Sequence, residues 1–185
     1  MKKVALISVL LILAPKILLA DTPNFDFIEY GYTSSNVDGL SQNLTGADWG
    51  GSYAFGDNLF LALDYFRADA KDSEDKIEIR TYGLGYRFNY SDSTTLYSAL
   101  AGNFIDPNGH ENHQKGYVLT TGARSNIGNN FELKGELKIF DTKHYNMATL
   151  VAGVSYNFTD FFAAFTDVEI ESDSTRTTFG VRYSF

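Results

Sequence analysis

From residue 24 to the end of the chain, apolar residues recur at every second position for nine to twelve residues at a time. Each run then breaks at a polar cluster. A period of two is the periodicity of a β-strand, whose side chains alternate between two faces. The clearest run is FELKGELKIF, with Phe131, Leu133, Gly135, Leu137 and Ile139 on one face and Glu132, Lys134, Glu136 and Lys138 on the other. Ten such segments are predicted, at residues 25–33, 45–55, 58–68, 77–88, 95–105, 116–127, 131–140, 147–158, 161–171 and 175–185. The run at 95–105 is small and apolar throughout, so its facing stays open. Almost nothing in this region has helical period. With 15 Phe, 12 Tyr and only three Pro, the composition favours strands as well.

The connections alternate in length. Tight turns follow the second, fourth, sixth and eighth segments, for example Gly56-Asp57-Asn58 and Gly128-Asn129-Asn130. Longer polar loops follow the first, third, fifth and seventh. Ser172-Asp173 is the one tight turn on the long-loop side. This is the pattern of an all-β, antiparallel, up-and-down barrel with two unlike rims. Ten strands are predicted, with eight as the alternative. An even count puts both ends of the barrel at the short-turn rim.

Three features say that the bulky face points outward into a membrane. The segments run about 10–11 residues, enough to cross a bilayer core when tilted. The faces opposite the bulky residues carry Gly, Ala, Ser, Thr and charges, which cannot form a dry soluble core. Aromatics gather at segment ends: Phe55, Tyr86, Phe88, Phe131, Tyr156, Phe158, Phe161, Tyr183 and Phe185 at the short-turn rim, and Tyr30, Tyr32, Trp49, Tyr65 and Tyr117 at the other. Two aromatic girdles suit two membrane interfaces. Lipid offers no hydrogen bonds to backbone, so the sheet must close on itself.

The first twenty residues differ from the rest. MKK is followed by the uncharged run VALISVLLILA, then PKILLA, then DTPNFDF. A basic start, a short apolar run and a small residue at a cut site are the parts of a secretory signal peptide. Cleavage is predicted after Ala20, leaving residues 21–185 as the barrel domain. The run is too short for a membrane-spanning helix. Removing Lys2, Lys3 and Lys16 with no acid takes the net charge from −8 to −11. That sign disfavours nucleic acid as a partner. The absence of cysteine removes disulfides, thiol nucleophiles and lipidated cysteine from consideration.

The stretches FIEYGYT, GADWGGSYAFGDNLFLALDY, TYGLGYRF and TFGVRYSF resemble those of small bacterial outer-membrane β-barrel proteins, and among them a porin-like ten-stranded subgroup. The resemblance covers about residues 25–185. It implies residence in the outer membrane, contact with its lipid and lipopolysaccharide, and an assembly step in which the insertion machinery reads the final strand. Phe179, Val181, Tyr183 and Phe185 match that signal. The resemblance supplies no substrate, surface partner or oligomeric state.

With the bulky face outward, the lumen receives Glu29, Asp48, Asp64, Glu132, Glu136, Asp167 and Glu169 together with Arg87, Arg124, Lys134, Lys138, Arg176 and Arg182. A ten-stranded barrel is only slightly wider than the eight-stranded kind that side chains just fill. Charges in such a space are costly unless paired. The expectation is a charge-paired, narrow lumen rather than an open selective pore. A two-residue turn at Ser172-Asp173 sets Glu169 opposite Arg176 and Glu171 opposite Ser174. The turn at Gly128 brings Arg124 near Glu132.

Other chemistry is weaker. His110, His113 and His144 fall in long loops and could hold a metal, but a loop does not fix ligand geometry, and solvated loop residues are the better reading. Asp141, His144 and Ser172 could form a hydrolytic group at the distal rim, though no spacing requires it. The acidic residues Asp69, Asp72, Glu74 and Asp75 could bind divalent cations or simply be solvated. No glycine loop cradles a phosphate, and no cofactor or catalytic residue is assigned. The leading function is an outer-membrane barrel that is structural or a small porin-like conduit. The alternatives are an outer-membrane hydrolase and a soluble periplasmic lipid-binding barrel.

Overall fold

The computed structural model describes residues 22–39, 43–70, 76–107, 114–128, 130–142 and 146–185. Within them the chain forms ten strands: β1 Phe27–Val37, β2 Leu44–Phe55, β3 Leu59–Ala70, β4 Lys76–Asn89, β5 Thr94–Pro107, β6 Gln114–Ile127, β7 Phe131–Thr142, β8 Asn146–Asn157, β9 Phe162–Ile170 and β10 Ser174–Ser184. Every strand pairs antiparallel with its sequence neighbours, and β1 pairs with β10 to close the barrel. The ten-stranded expectation holds, and the eight-stranded alternative does not.

The tight turns follow the sequence chemistry. Gly56 and Gly128 adopt φ of 66° and 62°, the left-handed region that glycine enters without steric cost. At the opposite rim the β9–β10 hairpin closes through the Glu171 N–H donating to the Ser174 carbonyl at 2.9 Å. The Asp38 N–H donates to the Asp173 carbonyl at 2.8 Å, which ties this turn to the end of β1.

β1 departs most from expectation. The polar run Ser34-Ser35-Asn36 reads as the start of a loop, yet the strand continues to Val37. Its backbone is paired there with Arg176, Thr175 and Ser174 of β10. Pairing at the seam outweighs the local loop propensity, and the Ser35 side chain is buried inside. β5 settles its facing too. Tyr97, Ala99, Ala101, Asn103 and Ile105 are buried in the interior, while Leu96 and Leu100 are exposed on the outer wall.

The outer wall is apolar around its circumference. Leu63, Leu84, Leu100, Leu119, Ile139, Val154 and Phe179 are all exposed. Aromatic rings pair at its edges. Phe131 and Tyr156 lie 5.0 Å apart, and Phe162 and Tyr183 5.1 Å apart, at the short-turn rim. Of the rings expected at the other rim, Tyr117 lies near it, whereas Tyr30 and Trp49, 4.5 Å apart, stand lower on the outer wall, Tyr30 three residues from the start of β1 and Trp49 at the middle of β2. No helix among the described residues is long and apolar enough to cross a membrane. The buried residues are inside the barrel.

Candidate functional site: the barrel interior

Strands β7, β9, β10 and β1 line one side of the interior with charge. Glu132 binds two guanidinium groups: Arg124 through Nη2 at 2.7 Å and Arg182 through Nη1 at 2.8 Å. Arg182 also donates through Nε to Glu29 at 2.5 Å. Deeper in, Arg176 and Lys138 share Glu169, at 2.5 and 3.4 Å. Lys134 binds Asp167 at 2.6 Å. That pair spans a whole strand, because Gly153 of β8 lies between the two in register. A Cβ on Gly153 would come 2.1 Å from the Asp167 Oδ1. Glu136 accepts the Tyr97 hydroxyl hydrogen bond. In the β9–β10 hairpin Ser174 donates to Glu171 at 2.7 Å, and Thr149 donates to Glu171 at 3.0 Å.

The opposite side, on β3 to β6, is mostly apolar, apart from Asp64, Thr95, Asn103 and Arg124. Phe60, Phe66, Ala68, Ala99, Ala101, Ile105 and Val118 are buried there. These positions have inward parity, but alternation alone gives no reason to group them. One local signal exists. Phe60 is laid over Gly85 of β4, where an added Cβ would meet its ring at 2.1 Å. Phe165 likewise covers Gly180, at 2.5 Å. A large inward side chain beside an inward glycine on the neighbouring strand marks a ring laid flat on the wall.

The segment before β1 enters the mouth at the short-turn rim. Phe25 is 2% exposed. Its ring lies 5.0 Å from Phe60 and 5.5 Å from Tyr97. The Arg124 guanidinium stands 4.9 Å from the ring centre and that of Arg87 5.2 Å. Arg124 also donates to the Asn24 carbonyl at 2.7 Å, and Asp26 accepts from the Ala54 N–H at 2.6 Å. Arg87 itself donates to the Asp57 carbonyl at 3.3 Å. It therefore belongs to the rim rather than to the chain of ion pairs.

Between the charged and apolar walls lies a cavity of about 430 Å³, bordered by residues from Phe25 at one end to Ser172 and Asp173 at the other. The interior is thus not filled from end to end, as side-chain pairing alone would leave it. Asp48 and Asp64 face this cavity. The bases within electrostatic reach of both are Lys138 and Arg176, and each of these binds Glu169.

The remaining sequence candidates do not converge. His110, His113, His144, Asp72, Glu74 and Asp75 lie outside the described residues. Asp69 stands 3.7 Å from Arg67 at the exposed rim. Asp141 is exposed with the outward parity of β7, whereas Ser172 borders the cavity, so the barrel wall separates them. Among the described residues, no group of three or more His, Cys, Asp or Glu is placed to hold a metal.

No curated protein matches the sequence. Among solved structures, a KdgM porin in complex with disordered oligogalacturonate is similar at a TM-score of 0.55 and 18% identity, covering 86% of this chain and 99% of that one. A further KdgM porin structure is similar at 0.50 and 18%, with the same coverage. At that identity the likeness is one of fold. A model of the outer membrane protein beta-barrel domain matches residues 21–158, most of the chain. With its closed ten-stranded barrel, apolar outer wall and aromatic girdles, the chain belongs to the outer-membrane β-barrel protein family and is a protein of the outer membrane.

Proposed function

We propose that this protein is a small porin-like conduit whose lumen is constricted at the periplasmic mouth by Phe25. The observation that carries this reading is the cavity of about 430 Å³, which runs inside the closed wall from the Phe25 ring to the Ser172-Asp173 turn. Charged groups on one side keep the interior wettable, and paired charges keep it narrow. The same reading takes residues 1–20 as an export signal cleaved after Ala20. It takes Phe179, Val181, Tyr183 and Phe185 as the signal read during insertion, and lipopolysaccharide as a neighbour in the outer leaflet. The oligogalacturonate of the KdgM complex is not carried over. Arg124, Lys134, Lys138, Arg176 and Arg182 each bind a carboxylate of this chain, so none forms a free cationic track for an acidic sugar.

Planar-bilayer recording of the purified barrel tests the conduit. Small discrete current steps are expected from the wild type, and larger ones from Phe25→Ala, which removes the ring from the mouth. A barrel that carries no current in either form would be structural.

A further inference from the structure

The apolar side of the lumen carries a band of small residues. Across three neighbouring strands, Ala62 of β3, Gly83 of β4 and Ala101 of β5 stand in one register row, all with inward parity. Ala62 and Ala101 border the cavity, and Gly83 between them carries no side chain. The row is therefore a recess in the wall. Two strand spacings separate its ends, about 10 Å, enough for one aromatic ring laid flat. Bulky side chains bound the recess along the strands. Toward the periplasmic mouth stand Phe25, Phe60 and Tyr97, three rings whose centres lie between 5.0 and 6.2 Å apart. Toward the outer rim stand Phe66, Ile79 and Ile105, again in one register row. All six border the same cavity.

The charges elsewhere in the lumen decide what can sit there. Arg124, Lys134, Lys138, Arg176 and Arg182 each bind a carboxylate of the chain, so an anion finds no unpaired base among them. A cation at the recess would meet Asp64, the next inward residue after Ala62 on β3. It would also meet Lys138 and Arg176, which lie within electrostatic reach of that carboxyl. An unpaired ion in a narrow lumen is costly. An uncharged ligand breaks no pair, and its contact with the apolar side removes that surface from water. A hydroxyl on such a ligand still finds polar neighbours. Asp64 and Thr81 face each other in register on the outer-rim side of the recess, and both border the cavity. A hydroxyl both donates and accepts, so it suits the Asp64 carboxyl in either protonation state. The cavity of about 430 Å³ is the size of a small-molecule site. We propose that the recess formed by Ala62, Gly83 and Ala101 binds a small uncharged aromatic alcohol. Its ring lies on the recess between the Phe60 and Phe66 bands, and its hydroxyl turns toward Asp64 and Thr81. This names the class of solute the conduit would take, and it rests on the conduit reading only for how the ligand reaches the lumen.

Isothermal titration of the folded full barrel in detergent tests the site, with benzyl alcohol as probe and benzoate, benzylammonium and glucose as counter-probes. Partition into detergent is common to every variant and is removed by titrating detergent alone. Benzyl alcohol is expected to bind, and each counter-probe to bind at least roughly tenfold more weakly. Ala62→Leu and Ala101→Leu each put a larger side chain into the recess and should weaken benzyl alcohol by roughly tenfold or more. They lie on different strands, so one stays decisive if the other fails to fold by heat-modifiable migration. Leu100→Ala alters the neighbouring outward position and should leave the affinity unchanged. An equal loss there would put the probe on the outer wall and overturn the site. Any counter-probe binding as tightly as benzyl alcohol, or unchanged affinity in the folded alanine variants, overturns it too. A barrel that binds benzyl alcohol in the recess but carries no current refutes the conduit and leaves the site. One that conducts but does not bind refutes the site and leaves the conduit.

Discussion

Arg182 shows what a single residue does in this wall. It holds Glu29 at 2.5 Å and Glu132 at 2.8 Å, and all three side chains are nearly excluded from solvent. Replacing it by Ala leaves two buried carboxylates short of a partner. Breaking a buried pair from one side costs about 3–5 kcal/mol, so Arg182→Ala should lower the urea midpoint of the membrane-folded barrel markedly. Arg67→Ala removes an exposed pair with Asp69 at 3.7 Å and should cost less than about 1 kcal/mol. Comparable shifts for the two would show that water reaches the Arg182 cluster. The sequence made some of these partnerships legible and hid others. Glu169 with Arg176 follows from counting back across a two-residue turn. Arg182 with Glu29 lies across the closing seam, 153 residues apart, beyond the reach of turn arithmetic. Lys134 with Asp167 skips a strand, and only the inward parity of Gly153 leaves it room.

At the scale of the element, β10 has the most consequence. It pairs with β9 along one edge and with β1 along the other, so its pairing with β1 closes the sheet and removes the open edges. Phe185 lies just beyond it. Its N–H donates to the Asp26 carbonyl at 3.0 Å, while its ring is 52% exposed and meets Tyr183 at a ring separation of 6.2 Å. A ring so little packed adds little to the finished barrel. Deleting Phe185 should therefore reduce the yield of membrane-inserted barrel more than it lowers the urea midpoint of the fraction that folds. Pulse-labelled assembly assays and equilibrium unfolding, run side by side, check the two quantities. Loss of midpoint with normal assembly would make Phe185 a stabilising residue instead. Strand existence was legible because alternation over ten residues is a strong signal. The end of β1 was not, because its polar residues are held by β10, and no local pattern encodes a partner at the far end of the chain.

At the scale of the molecule, period-two alternation separates inside from outside but is silent about position around the circumference. That is why the barrel, its two rims and its outer belt could be read from sequence, while the division of the lumen into a charged side and an apolar side could not. Grouping Phe60, Phe66, Ala101 and Ile105 requires knowing which strands stand together on one side of a closed ring. The outer belt gives the test of the whole arrangement. Leu100 is 60% exposed at the middle of β5, directly between Leu84 of β4 and Leu119 of β6, which are exposed as well. Near the middle of one of the longest strands, such a position lies near the bilayer midplane. Leu100→Arg should then destabilise the barrel in lipid vesicles by about 2–4 kcal/mol, the cost of a cation at that depth. A soluble lipid-binding barrel would have water against this wall and would accept the arginine with almost no change. Equilibrium unfolding in vesicles, with Leu100→Arg compared against the wild type, decides between the two, and an unchanged midpoint would remove the membrane from the outer face.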